Sequence, residues 1–263
     1  MRIFPSQILI FAASQKIPQQ GYYLPDMIRT YIINVSTNEA RRQHMLQQIA
    51  QKPCLQDYHF VHKGDISDLS PEVMSTYFGG ELEHPGPAAS CAYKHILVYE
   101  EMIGQHCDIA LVLEDDIYLD PPFCAMLERT MKEIKERKLQ NFVISLEDSN
   151  LRYVKGSERR KGQLLYKKVL GRMTGAYLVD KACALTMQEE WTRNKCNLPI
   201  DWFHNHCSQQ QLIDMLWLHP TIATQGSLNG KIRSIIDQKK TGSFRVVSFK
   251  LTRLVRKLIH RLS

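Results

Sequence analysis

Three adjacent carboxylates, Glu114, Asp115 and Asp116, follow the most apolar run of the chain, residues 109–113 (IALVL). Crowded carboxylates repel one another, and a divalent cation placed among them converts that repulsion into binding. In open α/β sheets ligands bind beyond the carboxyl ends of the strands, so an acidic triplet at this point stands where a ligand is expected. A diphosphate cannot approach bare carboxylates. A hard cation such as Mn2+ or Mg2+, held by Asp116 together with Glu114 or Asp115, would bridge to the phosphates and offset the charge on a departing nucleotide. The competing reading of such a triplet is an acidic loop that merely ends a strand.

The elements around the triplet read as alternating strands and helices. Residues 31–35 form a first strand, and Asn38 caps a helix carrying Met45, Leu46 and Ile49 at helical spacing. Pro87 opens a second helix that stops near Gly104. Residues 109–113 are apolar throughout, as in a strand buried on both faces. Pro121-Pro122 starts a helix with Leu127, Met131 and Ile134 on one side, and a strand over 142–146 follows. Further strands are expected over 164–170 and 176–179, and helices over 181–191 and 208–218, with Pro199 interrupting between them. The expected class is α/β, with a first half of parallel character and a mixed second half.

With 44% hydrophobic and 23% charged residues in 263, the chain is long enough and apolar enough to fold around its own core. The seven cysteines are odd in number and lack a C-x-x-C pair, which predicts reduced thiols rather than a disulfide framework. Cys196, His204, His206 and Cys207 crowd together without the spacing of a structural zinc site. Residues 8–13 are a short apolar run with neither a basic leader before it nor a cleavage site, and no stretch approaches the length needed to span a bilayer. Lys and Arg outnumber Asp and Glu by 34 to 27, and residues 250–263 hold no acid at all. There Leu251, Leu254, Val255, Leu258 and Leu262 fall at helical intervals between Lys250, Arg253, Arg256, Lys257 and Arg261, a basic amphipathic helix suited to an anionic membrane surface or to packing on the domain. Nucleic acid is not expected as a partner, because the basic residues are not interleaved with aromatics in a known module.

Separated segments give the chain a specific resemblance. Ile33-Asn34-Val35 with Arg41-Arg42, Cys91-Ala92-Tyr93-Lys94-His95, Leu113-Glu114-Asp115-Asp116, Gly175-Ala176-Tyr177-Leu178-Val179 and Pro199-Ile200-Asp201 resemble the motifs of glycosyltransferase family 25. This family comprises bacterial lipooligosaccharide transferases related to collagen galactosyltransferases. Ser90 and Lys94 depart from its pattern, standing where it usually has glycine and serine. The resemblance implies a GT-A fold, with a Rossmann-like nucleotide-sugar half, a mixed sheet with helices on both faces, and an acceptor-binding second half. It also implies a UDP-sugar donor, Mn2+ (or Mg2+), inversion at the anomeric carbon and a lipooligosaccharide acceptor, with UDP-galactose the first donor to test and UDP-glucose the second.

Within that resemblance individual residues acquire expected roles. Asn34, Arg41, His95, Glu114 and Asp115 are expected at the donor, where the guanidinium of Arg41 can meet the uridine or diphosphate. Glu114, Asp116 and His219 are the expected metal ligands. Asp201 is the candidate base that accepts the proton of the attacking hydroxyl, or alternatively the N-terminal cap of a helix. Asp148, with Glu147, is the other candidate base. The expected organisation is an N-terminal extension over 1–28, a glycosyltransferase domain over 29–242 divided near residue 150, and a basic helix over 243–263. The expected location is the cytoplasm, at the inner face of the bacterial cytoplasmic membrane. A metal-dependent nucleotidyltransferase or nuclease would use similar carboxylates and is the competing enzyme class, and a membrane-surface scaffold is the non-enzymatic one.

Overall fold

The computed structural model describes residues 28–105, 107–232 and 243–262. Of the expected extension over 1–28, residues 1–27 lie outside the described residues, as does the junction before the last helix, while Ile28 already belongs to the first strand. In chain order the elements are β1 (Ile28–Ile33), α1 (Glu39–Ala50), β2 (Tyr58–Val61), α2 (Pro71–Tyr77), α3 (Pro87–Gly104), β3 (Ile109–Glu114), β4 (Ile117–Leu119), α4 (Phe123–Glu136) and β5 (Phe142–Ser145). They continue with β6 (Leu165–Lys168), β7 (Ala176–Asp180), α5 (Lys181–Asn194), α6 (Ile200–Gln209), β8 (Asp214–Leu218), β9 (Ala223–Gln225), α7 (Gly226–Asn229) and α8 (Ser243–Leu262).

Among the described residues seven strands form one sheet in the order β2-β1-β3-β7-β5-β8-β6. The pairs β1·β2, β1·β3 and β5·β8 are parallel, while β7 and β6 run antiparallel to their neighbours. Successive strand residues face opposite sides, so the sheet divides the core in two. Tyr31, Val112, Tyr177 and Val179 pack beneath α3, α5 and α6, and Ile32, Leu111, Leu113, Ile144 and Leu178 pack beneath α1 and α4. The α/β class with a mixed sheet and helices on both faces is therefore the fold observed.

Two expectations are corrected. The predicted helix over 208–218 is instead the end of α6 followed by β8, whose Met215 to Leu218 are all buried. A short apolar run does not by itself distinguish a buried strand from a buried helix turn, and here pairing on both sides, to β5 and β6, decides it. The expectation that all cysteines are reduced also fails: Cys54, in the turn after α1, is disulfide-bonded to Cys124 in the first turn of α4, with Cα atoms 5.5 Å apart. The fold brings these two helix ends together across 70 residues of chain, which no local spacing could announce.

Candidate active site

The buried run of β3 ends at Glu114, paired in register with Ile33 of β1, so the carboxyl ends of both strands open on one side of the sheet. The antiparallel β7 begins beside them, with Ala176 opposite Leu113 and the Glu114 amide donating to the Gly175 carbonyl at 2.8 Å. A cavity of about 610 Å3 lies over these ends. Asn34, Arg41, Cys91, the acidic triplet, Asp201 and Trp202 line it.

The three carboxylates have different surroundings. Asp115 turns toward α1, where Arg41 Nη1 lies 2.6 Å from Oδ1 and Asn34 Nδ2 donates to Oδ2 at 2.8 Å. Burial pushes its pKa up, against the opposing pull of the Arg41 charge. Glu114 accepts from the Thr174 hydroxyl at 2.9 Å and from Gln225 Nε2 at 2.8 Å. Burial alone would raise Glu114, but the contacts with His95, Thr174 and Gln225 outweigh it and hold the carboxyl below its ordinary range. Asp116 accepts from the Ser227 amide at 3.1 Å through Oδ2, while Oδ1 is buried without a hydrogen-bond partner. Burial, and next the charge of Glu114, push Asp116 up to about 6.

A buried carboxylate oxygen with no donor is costly, and a bound dication is the partner that would remove the cost and the repulsion together. The residues present thus fit a divalent cation at Asp116 and Glu114. The arrangement also explains one glycine. A Cβ on Gly175 would lie 2.5 Å from the Gln225 side chain, so glycine leaves the space through which Gln225 reaches Glu114.

Asp201 sits in the first turn of α6, after Pro199, and lines the same cavity. Burial, then the charge of Glu114, push its carboxyl up to about 6. Beside it Trp202 is 61% exposed, a large aromatic face at the cavity wall. His95, on α3, is fully buried, with Nδ1 2.7 Å from the Tyr177 hydroxyl and Nε2 3.8 Å from Glu114 Oε1. Asn34, Arg41, His95, Glu114, Asp115, Asp116 and Asp201 therefore converge at one place.

Three expected residues, Asp148, Glu147 and His219, do not join them. Asp148 is fully buried away from the cavity, where it accepts from Tyr153 at 3.0 Å, Thr221 at 3.1 Å, Thr224 at 2.5 Å and Arg253 Nε at 2.8 Å. Burial opposes its ionisation, but Arg253, Thr224 and Lys257 hold its pKa low. A carboxylate so saturated is no proton acceptor. It anchors α8 instead. Its neighbour Glu147 is also buried; it accepts from Ser149 and from the Ala176 amide, and burial pushes it up to about 8. His219 follows β8 with its ring against Tyr166, outside the cavity lining. Burial and the charges of Arg159, Arg172 and Lys257 keep it neutral, at about 4, and a cluster of cations is no place for a dication.

Several residues of the site were not anticipated. Thr174 enters from the segment before β7, Gln225 from the end of β9 and Ser227 from α7, which the β4·β9 ribbon ties to the strand end. Lys94 is buried and bridges Asp65 at 3.0 Å and the carbonyls of Val61 and Lys63, holding the loop after β2 against the cavity. Its helix position carried the signal, though not its partner.

No curated protein matches the chain. Among solved structures, a mannose-1-phosphate geranyltransferase from Thermus thermophilus is 9% identical, with 78% of this chain and 77% of that one covered and a TM-score of 0.42. A UTP-bound UGPase from Acinetobacter baumannii is 11% identical, with 90% and 100% covered and a TM-score of 0.45. The family model described as glycosyltransferase family 25 (LPS biosynthesis protein) matches residues 27–203, which span the strand ends, the acidic triplet and Asp201. The chain is a glycosyltransferase and belongs to family 25.

Proposed function

We propose that the protein transfers a hexose, galactose before glucose, from a UDP-hexose to a lipooligosaccharide acceptor, with inversion and with Mn2+ or Mg2+ held by Asp116 and Glu114. The observation that carries this reading is the unpartnered Asp116 Oδ1 in a cavity that Glu114 also lines, near enough for the Glu114 charge to act on it. A bound dication would supply Lewis-acid stabilisation of the departing diphosphate. Asp115 fixes Arg41 at the rim, where the guanidinium can meet phosphate or uracil oxygens. Asp201 takes the proton of the acceptor hydroxyl as that oxygen attacks, and Trp202 offers the acceptor sugar an apolar face. Titration calorimetry should show Mn2+ tightening UDP binding by about 5- to 150-fold, the usual scale of coupling between two ligands. A UDP-galactose screen should then release UDP only when the metal is present. If UDP and Mn2+ bind no better together than apart, the reading fails. Pyrophosphate release from nucleoside triphosphates would point to nucleotidyl transfer instead.

The proposed acceptor is lipid-linked, and α8 supports a membrane-side location. No described helix is long and apolar enough to cross a membrane. Arg253 and Lys257 turn inward to Asp148, while Leu251, Leu254, Val255, Leu258 and Ile259 are each at least half exposed. With Lys250 and Arg256 exposed and no acid over 243–262, an anionic bilayer is the complementary partner. A Leu254→Glu/Leu258→Glu variant leaves the Asp148 anchor intact. It should float less with anionic liposomes than the wild-type protein; equal flotation would remove the membrane from the proposal.

A further inference from the structure

His95 carries a second unsatisfied atom. Its ring is fully buried, yet Nε2 has no hydrogen-bond partner, and its separation from Glu114 Oε1, 3.8 Å, exceeds hydrogen-bond reach. Cys91 stands four residues earlier on α3, on the same helix face. The Cys91 sulfur, a His95 ring nitrogen and a Glu114 carboxylate oxygen all lie within 4.8 Å of one another. No other group of three candidate ligands is this close among the described residues. Tetrahedral ligands around zinc are separated by about 3.3–3.6 Å, given metal–ligand bonds of about 2.0–2.3 Å. Small rotations of the Cys91 and Glu114 side chains would close that gap.

On the far side of His95 lies a closed chain of contacts: Nδ1 to the Tyr177 hydroxyl at 2.7 Å, Tyr177 to the Tyr99 hydroxyl at 2.8 Å, and Tyr99 to His204 Nε2 at 2.7 Å. Three hydrogen bonds need three protons, and the two phenols supply two. The third must come from one of the imidazoles. When His95 Nδ1 supplies it, the chain runs outward to a lone pair on His204, which burial keeps neutral. His95 Nε2 then presents its own lone pair toward Glu114 and Cys91, the tautomer a bound cation selects; with the third proton on His204 instead, Nε2–H faces the Glu114 carboxylate. A ligating histidine whose other nitrogen donates to a fixed acceptor is the arrangement that protein metal sites use to set tautomer and ring orientation.

We infer that Cys91, His95 and Glu114 form a binding site for a thiophilic divalent cation of the zinc class, with Tyr177, Tyr99 and His204 as the outer partners that fix the His95 tautomer. The sulfur ligand beside the imidazole separates this site from the carboxylate, carbonyl and water ligands that suit Mg2+ and Mn2+. Because Glu114 belongs to both sites, a zinc-class ion here competes with the donor cation. The inference does not depend on the identity of the donor. It concerns the metal bound without nucleotide.

Co2+ is the probe, since its thiolate complexes have a charge-transfer absorption and intense tetrahedral bands. Added to the full-length protein without nucleotide, it should produce the sulfur-to-cobalt band, and Zn2+ should displace it. The band should vanish in Cys91→Ser, persist in Asp116→Ala, and require about 10- to 100-fold more Co2+ in Tyr177→Phe, the range found when an outer partner of a metal ligand is lost. Alkylation of the unaltered protein provides a check that needs no variant. Among the free cysteines Cys91 alone is partly exposed, while Cys107, Cys183, Cys196 and Cys207 are buried. Zn2+ should protect Cys91 from a thiol reagent where equal Mn2+ does not. Absence of the band, its survival in Cys91→Ser, or unprotected Cys91 at saturating Zn2+ would each overturn the inference. None of these results bears on whether UDP and Mn2+ bind together, which tests the donor reading separately.

Discussion

Asp116→Ala should lower Mn2+-dependent release of UDP from UDP-galactose by about 100- to 1000-fold, the scale on which a single preorganised electrostatic stabiliser contributes to a transition state. It should also remove the tightening of UDP binding by Mn2+. The three neighbours of the triplet differ in what their oxygens touch. Both oxygens of Asp115 are taken by Asn34 and Arg41, and Glu114 is held by Thr174 and Gln225. Asp116 alone keeps a buried oxygen with nothing to accept. Its pKa of about 6 expresses the same fact, because burial and the Glu114 charge both disfavour the ionised form when no cation is nearby. Removing this carboxylate relieves a repulsion in the folded protein, so the variant should melt no lower than the wild-type protein while losing its metal response. Thermal melting followed by calorimetry with UDP and Mn2+ separates the two effects. Wild-type turnover in a well-folded Asp116→Ala variant would refute the ligand assignment.

What could be read from the sequence follows from how local the cause was. The β3 run is apolar at every position because the strand is covered on both faces, and the acids after it mark the strand end. Pro87 and Asn38 mark helix starts by chemistry confined to one turn, and both α3 and α1 begin there. The errors lie where the deciding partner is remote. Met215 to Leu218 became a strand because β5 and β6 flank it. Asp148 looked like a base at a strand end, and Arg253, 105 residues later, makes it an anchor. His219 follows a strand as a metal ligand would, but three cations gather around it. Glu114 owes two of its contacts to residues 60 and 111 positions away, neither in a recognisable motif.

The same separation between local and remote causes bears on the base. Asp201 was visible as the acid after a proline, but it is not the N-terminal cap: Pro199 holds that position without a side-chain cap, and Asp201 lies one residue inside the first turn of α6. It belongs to a helix start and it faces the cavity. Among the carboxylates lining the cavity it stands on α6, close enough to Glu114 to feel its charge and next to the exposed Trp202.

Asp201→Asn should therefore lower transfer to acceptor by about 100- to 10,000-fold, the range supplied by a positioned proton acceptor, while leaving UDP and Mn2+ affinity within about twofold. The pH dependence supplies a second readout with a definite sign. A general base works only when ionised, and burial together with the Glu114 charge sets Asp201 at about 6. The wild-type kcat/KM should then fall about tenfold for each pH unit below the pKa that Asp201 has in the metal-loaded enzyme, measured with saturating metal at each pH. A dication beside Glu114 cancels the second cause and leaves the first, so the limb in the metal-loaded enzyme should lie below 6 yet above an ordinary aspartate. Residual transfer by Asp201→Asn should lack that limb, because the amide does not titrate. A variant that keeps both the wild-type rate and the acid limb would show that the proton goes to another group.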